Sequence, residues 1–133
     1  MASVVIGMTT AQIAALTTTQ IAALGSADYV ALTSAQLGAL TTEQIQAIET
    51  RDLVALTTAQ ISKGFSTEQI AALTTAQAQS LTATQIAGLT TTQVAALETE
   101  DLAALKTTQI AALTTTQVAQ GLTTDQAVAL TSA

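Results

Sequence analysis

The 133-residue chain contains no cysteine and no histidine. Those two absences remove disulfides, thiolate nucleophiles, zinc sites and the usual general base at neutral pH. Basic residues are scarce as well: Arg51, Lys63 and Lys106 stand against nine acids, for a formal net charge of −6. Such a chain cannot neutralise a phosphate backbone, so nucleic acid is not expected as a partner, and the same balance argues against an anionic membrane surface. Long hydrophobic runs are missing too. Apolar stretches last about four residues before a Thr or Gln interrupts them, against the roughly 20 that span a bilayer. The opening Met1-Ala2-Ser3-Val4-Val5-Ile6-Gly7 lacks the basic region and the apolar length of a signal peptide, so the expectation is an internal piece of any exported parent.

Aromatics make up 2% of the chain, and Thr, Ala, Leu, Gln and Ile supply most of the rest. That vocabulary is too small for an irregular core. With 49% apolar and 9% charged residues, the chain is nevertheless far too hydrophobic for the disordered class, and folding is expected.

What is present is repetition. A large apolar residue stands at 8, 16, 24, 32, 40, 48 and 56, then at 65, 73, 81, 89, 97, 105 and 113, then at 122 and 130. The spacing of eight is broken twice, by Gly64 and Gly121. The array 1–133 therefore divides into a half-unit at 1–7, two seven-unit blocks at 8–64 and 65–121, and closing units at 122–133. Below, units are numbered from 1 at Met8 to 15 at Leu122, and positions within a unit from its large apolar residue.

A typical unit is Leu16-Thr17-Thr18-Thr19-Gln20-Ile21-Ala22-Ala23. Thr at position 2 and Gln at position 5 have the spacing of a capping box, in which the two residues satisfy orphan N–H groups at a helix start. Leu at position 1 and Ile at position 6 then fall where a hydrophobic staple joins N′ to N4. All nine acids, Asp28, Glu43, Glu49, Asp52, Glu68, Glu98, Glu100, Asp101 and Asp125, occupy positions 2, 4 or 5, in or beside the first turn, where the helix dipole favours negative charge. Gly7, Gly64, Gly88 and Gly121 sit at the other end, where a left-handed C′ residue is expected. Arg51 and Lys106 break the charge pattern. Where position 2 is Gly25, Glu49, Glu98 or Lys106, the Ser or Thr at position 3 is the alternative cap.

These features predict an all-α solenoid of very short helices, one per eight-residue repeat. One continuous helix would rotate successive Leu residues by roughly 80° and form no lasting apolar stripe. A β-solenoid is the alternative, since Thr and Ile suit strands, but abundant Ala and a cap in every unit favour helices. Positions 6 and 1 share a face, position 4 faces solvent, and the small Ala pair at 7 and 8 lets layers approach. No unit buries enough to fold alone, so stability comes from neighbours and the ends need caps. Val4-Val5-Ile6-Gly7 reads as a worn half-unit. Asp at position 5 of units 3, 6 and 12 suggests three units per coil, while polar residues at positions 7 or 8 of units 5, 7 and 9 suggest two.

The one constellation with catalytic or metal-binding chemistry is carboxylate: Glu98, Glu100 and Asp101 in one unit, Glu49 and Asp52 in another. A hard cation wants six to eight oxygens from an irregular, Gly-containing loop, whereas these acids fall in ordinary first turns. No glycine-rich phosphate loop, G-x-S-x-G or calcium nonapeptide occurs. No catalytic, cofactor-binding or metal residue is assigned, no cofactor is implied, and an enzyme is not expected. Rows of position 3 Thr raise ice binding as an alternative function, opposed by the charge that position 4 accepts. A protein-interaction scaffold is the other alternative, with Tyr29, Arg51, Lys63 and Phe65 the residues that could mark a patch, although Phe65 holds a Leu position.

The Leu-Thr-Thr-x-Gln-Ile-Ala-Ala unit, running from Met8 to Ala133, resembles the Thr/Gln/Ala/Leu arrays in very large repetitive proteins of Gram-negative bacteria, described as adhesin-like or haem-utilisation-like surface proteins. The resemblance implies a spacer or stalk in a secreted or cell-surface protein and transfers no site residue; separately, the chain is expected to be a monomer in isolation.

Overall fold

A computed structural model describes residues 5–131. Of the expected end units, Val4 and residues 132–133 lie outside the described residues. Within them are fifteen short helices and no strand, one helix per unit, from Thr10–Ala14 to Thr124–Thr131. The chain is an all-α solenoid.

The sequence of each unit explains its path. The helix of unit 2, Thr18–Ala23, is closed by Leu24, position 1 of unit 3, in an extended conformation (φ −65°, ψ 143°), and Gly25 continues extended (φ −93°, ψ 170°) into the next helix. Extended residues between helices redirect the chain at every unit. At the helix start, Thr17 Oγ1 accepts from the Gln20 N–H at 3.1 Å, and Gln20 Oε1 accepts from the Thr17 N–H at 2.8 Å. The same reciprocal pair recurs from Thr9 and Gln12 to Thr123 and Gln126.

Burial follows the repeat. Every position 6 side chain from Ile13 to Leu102 is buried, as is every position 1 side chain from Leu24 to Leu105. Together they form one continuous core column. Position 4 is exposed in every unit. Val5 is fully buried where position 6 of a preceding unit would lie, so the half-unit contributes to the core.

Two expectations need correction. Gly25, Glu49, Glu98 and Lys106 remain the N-cap residues of their helices, all extended, and the helix start does not move to position 3. Extended geometry at position 1 fixes the entry whatever side chain follows. The glycines also act differently from a left-handed cap: among described residues only Gly7 has positive φ, at 83°. Because an extended Leu ends the unit, no left-handed residue is needed. Gly64, Gly88 and Gly121 instead lie where coils touch. A Cβ on Gly88 would stand 2.9 Å from Thr58 Cβ, and one on Gly64 would stand 3.0 Å from Leu37 Cβ. The ninth residue of units 7 and 14 is absorbed within the helix, as the longer Thr58–Gly64 and as the π-helix Gln117–Gly121.

Candidate functional site

The feature that organises the molecule is a ladder of buried glutamine amides. Gln44 is 2% exposed. Its Oε1 accepts from the Thr41 N–H at 2.8 Å, while its Nε2 donates to the carbonyls of Ile13 (3.0 Å) and Leu16 (2.6 Å) in the coil below. One amide thus caps its own helix and ties two coils. Gln77 does the same to Ile45 and Ile48, and Gln85 to Leu53 and Leu56. Position 5 carries Gln or Asp in every unit and never Glu. A capping box takes either Gln or Glu; only Gln also supplies the N–H₂ donors. That missing Glu is the sequence signal for the ladder, and reading the box alone passes over it.

The ladder sets the coil. Downward amide links span 28 to 32 residues, and the upward links from Gln46 to the Ala72 carbonyl and from Gln79 to the Ala104 carbonyl span 26 and 25. A coil therefore closes between three and four units, and about seven units make two coils. Seven is the number in each duplicated block, and the bonds of Gln69 to Leu37 and Leu40 recur 57 residues on, from Gln126 to Val94 and Leu97. The suggestions of two or three units per coil are both replaced, for a physical reason. The Asp and position 7 Gln residues mark bonds to the third unit away, while the position 5 Gln reaches the turn beyond it.

The candidate carboxylates do not converge. In unit 6, Glu49 is exposed and Arg51 lies 3.5 Å from it, itself 72% exposed, a pair of little energetic weight. Asp52 turns inward, 1% exposed, and accepts from Ser26 Oγ at 2.7 Å. In unit 12, Glu98 and Glu100 are exposed while Asp101 is buried and accepts from Thr75 Oγ1 at 2.7 Å. Each Asp thus replaces the Gln link by a hydroxyl three units below. Among the described residues no group of three or more acids, His or Cys is placed to hold a metal ion. No helix among them is long and apolar enough to cross a membrane.

Tyr29 and Phe65 are both buried and cannot mark a surface patch; Arg51 and Lys63 are exposed. The Tyr29 hydroxyl donates to the Ile21 carbonyl at 2.6 Å. Burial, and then the negative charges of Asp52, Glu49 and Asp28, push that hydroxyl well above the ordinary phenol range. Three exposed apolar side chains that the residue pattern did not single out, Ile6, Val30 and Val54, stand at position 7 of the half-unit and of units 3 and 6.

A family model described as the ALTTAQ repeat matches residues 21–48, 45–83 and 94–132. The chain belongs to the ALTTAQ repeat family. The matched segments cover most of both blocks, so the Thr-capped, Gln-laddered unit is the form that the ALTTAQ repeat takes here. No curated protein and no solved structure matches the chain.

Proposed function

We propose that this ALTTAQ array is a non-enzymatic spacer or stalk segment of a large secreted or cell-surface, adhesin-like protein of a Gram-negative bacterium. The observation that carries the reading is that the inter-coil bonds repeat block on block, 57 residues apart. In such a solenoid each coil rests on its neighbours, so a block can be added without disturbing the others. Exposed position 4 varies freely while the buried positions hold mostly to Leu, Ile and Gln, the pattern of a segment selected for length and stiffness. The resemblance to surface-protein arrays supplies the setting.

The test anchors the array by one end to a flat support and measures the height of a tag fused to its other end. An inserted copy of 65–121 raises the tag by the length of one block; an unchanged height overturns the reading.

Ice binding is the second reading, favoured by the exposure of position 3 hydroxyls such as Thr10, Thr18 and Thr42. Against it, the adjoining exposed position 4 carries Glu43, Arg51, Glu68, Glu100 and Asp125, which break a flat uncharged face. Thermal hysteresis at micromolar protein separates the two.

A further inference from the structure

We draw no further inference here: the strongest candidate, the row of exposed carboxylates that Glu43, Glu68, Glu100 and Asp125 set along one side of the solenoid at steps of three and four units, is a line of acids in the first turns of short helices, and nothing in the structure shows what covers it.

Discussion

The Tyr29 hydroxyl and the Ile21 carbonyl, 2.6 Å apart, make the bond that a glutamine at position 52 would make elsewhere in the ladder. Ile21 lies 31 residues before Asp52, the separation at which Gln44 reaches Ile13. Asp52 is turned instead to Ser26, with its Oδ2 buried and unpartnered, so the tyrosine, from unit 3, occupies the vacancy. Removing the hydroxyl by Y29F is expected to cost about 1 kcal/mol. The double change Y29I/D52Q restores the ordinary unit and is expected to be at least as stable as the parent chain. Urea unfolding measures both; a Y29F chain as stable as the parent would show that this bond contributes nothing.

The same tyrosine sets an alkaline limit. Its folded pKa is raised above the usual value of about 10. The folded chain therefore holds the proton more tightly than the unfolded one, so the contribution is complete below pH ~10 and is lost as pH rises through the folded value. Unfolding free energy is expected to fall above pH ~10 in the parent chain and to fall less in Y29F. Parallel pH profiles for the two would contradict the assignment.

Gln-to-Glu substitution separates capping from bridging. Q77E in the middle of the array keeps the acceptor for the Thr74 N–H but loses the donors to Ile45 and Ile48 and buries a carboxylate beside carbonyls. A loss of about 3 kcal/mol is expected. Q12E keeps its cap with Thr9 and has no coil below it among the described residues, so a change within about 0.5 kcal/mol is expected. Equal effects at the two sites would mean that the cap, and not the ladder, carries the stability.

Glycine positions make a second contrast. Gly88→Ala places a Cβ against Thr58 and is expected to cost about 1–3 kcal/mol through overpacking. Gly25 has nothing within 4 Å of its would-be Cβ and an extended backbone. Gly25→Ser supplies the missing cap and is expected to gain a few tenths of a kcal/mol, the small difference between Gly and Ser at an N-cap. Thermal melts of the two variants should shift in opposite directions.

The local unit was legible because its signals are local: a capping pair three residues apart, acids at the helix start, and large apolar residues every eight. Those fix helix, core positions 1 and 6, and exposed position 4. The coil was not legible, because it depends on which distant carbonyls a Gln amide meets. Gln44 and Ile13 are 31 residues apart, and nothing near either names the other. The clue lay in the residue never used, Glu at position 5. The glycines misled for a related reason. Gly64 and Gly88 are small because a neighbouring coil comes close, a condition that the repeat cannot display along the chain.

Tandem copies of residues 65–121 test the central claim, that each seven-unit block is two coils stacked on the last. Small-angle scattering on arrays with one, two and three added copies should show the maximum dimension rising linearly, by two coils at about 8–10 Å each per copy, while the cross-section stays constant. A maximum dimension growing as the cube root of mass would mean that the blocks collapse onto one another, and would contradict the solenoid and the spacer reading together.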